Sequence, residues 1–155
     1  VQAKGLHIET ILNLEKVPPV AGVASELKEV IANMIINAVE AMPGGGWIMI
    51  RTFEREGSCV QISDSGKGMT EEVKKKVFEP VFTTKPFTRT GLGLSMSYGI
   101  VRRLGGGIEV ESRLGQGTTF TITLPIAKGL RMNNVNNEPA HPEPFDSVRP
   151  EPVEG

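Results

Sequence analysis

Only one cysteine, Cys59, stands in the chain. No internal disulfide can form, so a reducing, cytoplasmic setting is expected. Within its strand-like run Cys59 reads as a small packed residue. Charge of one sign is also missing: 17 Lys and Arg stand against 18 Asp and Glu, for a net charge of -1. That balance excludes the global basic footprint of a nucleic-acid-binding protein. No apolar run approaches the ~20 residues of a membrane-spanning helix, and no signal-peptide pattern opens the chain. The domain is therefore expected to make no membrane contact of its own, whether its parent is soluble or membrane-anchored. A first residue of Val rather than Met fits a piece of something longer. What is present is ordinary for a globular domain: 39% hydrophobic and 23% charged residues over 155 positions, enough to bury a core.

The most informative stretch is Ser25 to Met42, SELKEVIANMIINAVEAM. Its apolar residues cover most of a helical circumference, which predicts a helix packed into a core. Ser25 suits the N-cap, and Pro43 with Gly44, Gly45 and Gly46 stops the helix. Glu26, Glu29, Asn33, Asn37 and Glu40 fall on one stripe. Asn disfavours helix interiors because its amide competes for backbone hydrogen bonds. Two asparagines one turn apart either satisfy loop backbone or offer carbonyl oxygens to a hard cation such as Mg²⁺.

Around this helix the pattern predicts an opening strand at Gly5–Ile11, a hairpin of Trp47–Phe53 and Ser58–Ser63, and a short helix over Thr70–Phe78. An irregular segment from Glu79 to Thr90 leads through Gly91-Leu92-Gly93-Leu94-Ser95 into a helix ending near Leu104. A second hairpin, Ile108–Ser112 with Thr118–Leu124, closes the folded part. The order predicts an α+β fold, a two-layer α/β sandwich with helices on one face of a mixed, mostly antiparallel sheet. Residues 1–128 read as one domain. Residues 129–155, rich in Asn, Pro and Glu, read as a disordered tail.

Strand parity puts Val60, Ile62 and Asp64 on one face, and Thr118, Phe120, Ile122 and Leu124 on one face of the last strand. If the apolar members build the core, Asp64 and Thr118 end in the cleft beside the asparagine helix. A carboxylate there can accept the amine of adenine, and Gly66 and Gly68 allow close approach of backbone. The plainer alternatives are a strand-end turn and a threonine chosen for strand propensity. Lys85 and Arg89, with the unhindered N–H groups of Gly91-Leu92-Gly93, suit a lid over a polyphosphate, or else a solvated basic loop.

Taken together, Asn33/Asn37, Asp64-x-Gly66-x-Gly68, Phe78-Glu-Pro…Phe82-Thr83-Thr84-Lys85, Gly91-Leu92-Gly93-Leu94 and Gly117-Thr118-Thr119 resemble the catalytic ATP-binding domain of bacterial sensor histidine kinases, of the gyrase/Hsp90/histidine kinase/MutL superfamily. The resemblance covers roughly residues 3 to 126, and the spacing from GLGLS onward looks most like nitrogen-regulator-type kinases. The resemblance implies a Bergerat fold that binds ATP and Mg²⁺. It implies that Asn37 ligates the metal with Asn33 assisting, and that Asp64 binds adenine N6 with help from Thr118. Gly66, Gly68, Met69, Phe78, Thr83, Thr84, Arg89, Thr90, Gly91, Leu92, Gly93 and Leu94 would shape the nucleotide pocket and lid, and Asn33 and Lys85 would serve catalysis. Pro86-Phe87-Thr88-Arg89-Thr90 departs from the short Gly-rich link often seen before GLGLS. The implied partners are a His-containing dimerisation domain and, downstream, a response regulator. A conformational ATPase of the gyrase, MutL or Hsp90 type and an anti-sigma-type serine kinase are the alternatives, and a domain that binds nucleotide only as a structural switch is a further one. Both of the first two usually carry a glutamate where this chain has Asn33.

Overall fold

The computed structural model describes residues 5–79 and 93–127. Its elements run β1 (Ile8–Leu14), α1 (Ala24–Glu40), β2 (Gly46–Glu54), β3 (Ser58–Asp64), α2 (Glu71–Lys76), α3 (Gly93–Arg103), β4 (Gly107–Arg113) and β5 (Gly117–Leu124). The five strands form one sheet in the order β1-β2-β3-β5-β4. Strand β1 runs parallel to β2, with α1 as the crossover, and the other three pairings are antiparallel. This is the α+β arrangement expected, and the element order is the one expected as well.

The register aligns residues into rows that cross the whole sheet. Leu12, Ile50, Ile62, Phe120 and Val110 form one row, and Leu14, Thr52, Val60, Ile122 and Ile108 the next. These rows face the helices. Leu27, Val30, Met34 and Ala38 of α1 and Val101 of α3 pack on them to make the core. Helix α1 also packs along α3, and α2 and α3 lie against β4.

The opposite face of the sheet carries no helical layer among the described residues, and its chemistry suits water. Asn13, Arg51, Gln61, Thr121 and Glu109 make a row there. Arg51 Nη1 donates to Gln61 Oε1 at 3.0 Å, and Gln61 Nε2 donates to Thr121 Oγ1 at 3.0 Å. Cys59 lies on this face, wholly buried, with its Sγ 3.4 Å from Thr123 Oγ1. It is the small packed residue expected.

Three elements depart most from their expected boundaries. Helix α1 starts one residue earlier than Ser25, and its N-cap is Val23, which makes no side-chain cap bond. The Val23 carbonyl instead accepts from Glu26 and Leu27 N–H at 3.0 and 3.1 Å, so Ser25 lies inside the first turn. Strand β1 begins and ends three residues later than Gly5–Ile11, because its extent is set by pairing with β2, from Ile8 opposite Gly46 to Leu14 opposite Thr52. Helix α2 is confined to Glu71–Lys76, with Thr70 Oγ1 accepting the Val73 N–H as its cap. The expected tail at 129–155 lies outside the described residues.

Replacing Ile62 by Ala should cost about 2–5 kcal/mol of stability, because it empties a site in the central row. Replacing Ile11, on the open face of edge strand β1, should cost about 0.5 kcal/mol or less. Urea denaturation of the two variants beside the parent checks the contrast, and equal losses would contradict the assignment of faces.

Candidate functional site

One row at the end of the helix-facing side is polar apart from Ile48: Thr10, Ile48, Asp64, Thr118 and Ser112. Asp64, Thr118 and Ser112 are all buried. Asp64 closes the central strand β3, where apolar Val60 and Ile62 fix which way it points. Its Oδ1 accepts the Gly66 N–H at 2.7 Å, and the Thr118 backbone N–H adds a second donor. Burial nevertheless pushes the carboxyl above its ordinary range, because desolvation of the charged form outweighs the two hydrogen bonds that favour it.

The chain beyond Asp64 is stitched down nearly residue by residue. Ser65 N–H donates to the Trp47 carbonyl at 3.2 Å, and Ser65 Oγ accepts the Trp47 N–H at 2.9 Å. Lys67 N–H donates to the Ala41 carbonyl at the end of α1, at 3.0 Å, and the Lys67 carbonyl accepts from Gly115 in the β4–β5 turn at 2.7 Å. Met69 N–H reaches Ser112 Oγ at 2.8 Å. The two glycines expected to make room are required by this stitching. A Cβ on Gly66 would stand 2.6 Å from the Ala41 carbonyl oxygen. One on Gly68, whose φ is +73°, would stand 1.9 Å from that of Arg113. What approaches them so closely is the protein's own backbone.

The asparagines sit half-buried on α1. Asn33 Nδ2 donates to the Gly93 carbonyl at 3.3 Å and to Ser97 Oγ at 3.2 Å, tying the first turn of α3 to α1. Asn37 Nδ2 donates to the Asn33 carbonyl at 2.9 Å. Each amide nitrogen is thus engaged within the protein, and an amide carbonyl is the oxygen type a hard cation takes. Among the described residues no group of three or more His, Cys, Asp or Glu could hold a metal. A divalent ion here would have to depend on amide oxygen, water and ligand oxygens, which is the habit of Mg²⁺.

Phe78, just past α2, stacks on Tyr98 of α3 at a centroid distance of 5.0 Å and meets Phe120 edge-on at 6.2 Å. Met69 and Leu94 are half-buried against the core. Thr83, Thr84, Lys85, Arg89, Thr90, Gly91 and Leu92 lie outside the described residues. Ser112 and Ser97 were not singled out from the sequence. Ser112 was findable, since it follows Ile108 and Val110 in the inward phase of β4, where a polar residue is conspicuous.

A family profile described as histidine kinase-, DNA gyrase B-, and HSP90-like ATPase matches residues 22–128. Sporulation kinase E of Bacillus subtilis is 40% identical over 128 residues, which is 81% of this chain and 17% of that protein. The signal transduction histidine-protein kinase AtoS of Escherichia coli is likewise 40% identical over 128 residues, covering 81% of this chain and 21% of that protein. The chain thus spans about a fifth of the length of these relatives. Among solved structures, the nucleotide-free catalytic domain of histidine kinase ThkA superposes with a TM-score of 0.69 at 30% identity, covering 77% of this chain and 80% of that one. A mycobacterial sensor histidine kinase, MprB, gives 0.68 at 28% identity, covering 77% and 83%.

The raised carboxyl has a consequence for stability. Below its ordinary pKa of 3.8 Asp64 is protonated whether the chain is folded or not. As pH climbs through 3.8 toward the higher folded value, the unfolded chain ionises first, and stability falls. Asp64→Asn has no such loss and keeps an acceptor for Gly66. The variant should therefore gain in melting temperature relative to the parent between pH 4 and pH 7, as read by thermal unfolding at both. A gap that stays constant or shrinks as pH rises would show that Asp64 is not held against desolvation.

Proposed function

Because the chain belongs to the family of histidine kinase-, DNA gyrase B- and HSP90-like ATPases, we propose that it binds Mg²⁺-ATP and presents the γ-phosphate to a histidine on a separate domain. The phosphoacceptor on this reading is a His-containing dimerisation domain of the same parent protein, in the cytoplasm, with a response regulator downstream. The observation that carries it is the buried Asp64–Thr118 pair in the polar row beside the core rows, held by a loop stitched to both α1 and the β4–β5 turn.

Asp64 would accept the exocyclic amine of adenine, with Thr118 beside it. Asn37, assisted by Asn33, would offer amide oxygen to the metal, whose charge would offset that of the polyphosphate when bound. Lys85, Arg89 and the Gly91-Leu92-Gly93 turn would close over the phosphates. Transfer would rest on positioning and charge neutralisation, with the nucleophile brought by the partner.

Hydrolysis is the poorer reading because of Asn33. A conformational ATPase needs a carboxylate there to take a proton from water. This side chain is an amide, and its nitrogen donates to Gly93 and Ser97. Glu29, one turn earlier, is exposed. The chain's own histidines fit the acceptor role no better: His7 is exposed just before β1 without the helical setting of an acceptor, and His141 lies outside the described residues.

Two experiments bear on this. Asn37→Ala should leave the domain folded but make ATP affinity the same in Mg²⁺ and in EDTA, as measured by calorimetry; a Mg²⁺ dependence like the parent's would remove Asn37 from the metal site. Incubated with γ-labelled ATP, the chain should stay unlabelled and transfer acid-labile label to an added His-containing dimerisation domain. Label on the isolated chain at a comparable rate, or steady phosphate release, would overturn the partner-dependent reading.

A further inference from the structure

We propose that the outer edge of β1 is a self-association surface, on which a second copy of this chain pairs antiparallel about Ile11 and joins two sheets into one. The inference goes beyond the nucleotide reading and stands independently of it.

Strand β1 ends the sheet, and among the described residues no strand lies beyond it. Its inner bonds fix which backbone groups face outward. Gly46 N–H donates to the His7 carbonyl and Glu15 N–H to the Thr52 carbonyl, so the odd-numbered residues from His7 to Glu15 are turned toward β2. The N–H and C=O groups of Ile8, Thr10, Leu12 and Leu14 therefore point away from the sheet. Natural edges of this kind are guarded by lysine, proline, a bulge or extreme shortness. Strand β1 has seven residues, IETILNL, in unbroken register with β2, with no lysine or proline and with Glu9 as its single charge. Ile11, on the open face, is 37% exposed, and Met49 stands beside it in register. The other edge is guarded: β4 paired on itself about its central residue, Val110, would set Glu109 against Glu111 twice.

A second copy is the occupant because this edge complements itself. In an antiparallel pair, opposed residues alternate between hydrogen-bonded and non-hydrogen-bonded sites. A two-fold axis at Ile11 sets Ile8 opposite Leu14 and Thr10 opposite Leu12 of the second copy, so all four outward residues fall at bonded sites. Moving the axis to Thr10 or Leu12 leaves Leu14 or Ile8 without an opposed strand residue. Ile11 then meets its counterpart at a non-bonded site, where side chains come closest, and Glu9 meets Asn13 on either side. Just beyond the strand, exposed His7 falls opposite exposed Glu15 at both ends. Within this span no like charges are opposed, and a net charge of -1 adds little repulsion between copies. The open-face row of Ser63, Met49 and Ile11 continues into the same residues of the second copy, so apolar surface is covered along with backbone.

One strand pair is a small interface, so the association is weak. Analytical ultracentrifugation of the full chain from about 10 µM to about 1 mM should show a monomer–dimer equilibrium, the range suited to an interface under ~1,200 Å². Ile11→Lys, which opposes two like charges on the axis, should raise the dissociation constant by about tenfold or more, with far-UV circular dichroism unchanged. Should that variant unfold, Thr10→Pro gives the same reading, because it removes an outward N–H and keeps every bond to β2. Oxidation by glutathione disulfide tests the register. Ile11→Cys should cross-link to its counterpart, since Cα atoms at a non-bonded site stand about 4.5 Å apart. Asn13→Cys should not, because its counterpart lies four residues along the strand, about 13 Å away. Cys59 is buried and common to both variants. A chain that stays monomeric at about 1 mM leaves the edge to some other strand and overturns the proposal. A dimer that neither Ile11→Lys nor Thr10→Pro weakens is held by another face, and overturns it too. Cross-linking of Asn13→Cys as readily as Ile11→Cys would rule out pairing about Ile11.

Discussion

A carboxylate kept out of water at the end of a central strand is the constraint around which this domain is arranged. Asp64 resists ionisation because burial outweighs the Gly66 and Thr118 N–H groups that stabilise its charge. Such a group persists only where the surroundings leave it no other place. Here β2 and β5 flank its strand, the core rows anchor Ile62 and Val60 behind it, and the following loop is bonded to α1 on one side and to the β4–β5 turn on the other. Keeping the carboxyl buried in this way gives up stability locally.

Helix α1 serves both layers of this arrangement. Leu27, Val30, Met34 and Ala38 fill the core. Asn33, a quarter-turn from Met34, reaches α3 through Gly93 and Ser97, and the Ala41 carbonyl just past the helix holds the Asp64 loop. One rigid element thereby fixes the distance between the carboxylate and the start of α3. The stacking of Phe78, just past α2, on Tyr98 gives α3 a second tie.

The fold was largely legible in the chain because its elements are set by local signals. Period-two alternation in β3 and β5, a near-continuous apolar helix and glycine stops are all readable over a few residues. Which strands become neighbours is not such a signal, and Asp64 meets Thr118 only because β5 inserts beside β3. Parity still put both residues on the correct face. The cap of α1 was misplaced because a side-chain rule points to Ser25, whereas a backbone carbonyl, Val23, closes the first turn. Gly66 and Gly68 announce that something must come close without saying what, and the structure supplies Ala41 and Arg113. The asparagine stripe announced buried amides, but the partners of Asn33 on α3 lie some sixty residues away in sequence, at separations of 60 and 64.

The in-register rows have an implication for how the chain finds its native state. Side chains alternate with a period of two, so a slip of one residue in β3 or β5 would send Asp64 or Thr118 to the open face and bring Ser63 or Thr119 inward. Those inward residues are small and polar, so a slipped sheet would differ from the correct one in its ligand chemistry as much as in its core. Nucleotide bound through the Asp64–Thr118 pair would therefore stabilise only the correctly paired sheet. Ligand occupancy would then act as a gauge of strand register, selecting at the level of the folded population what the apolar rows select during folding.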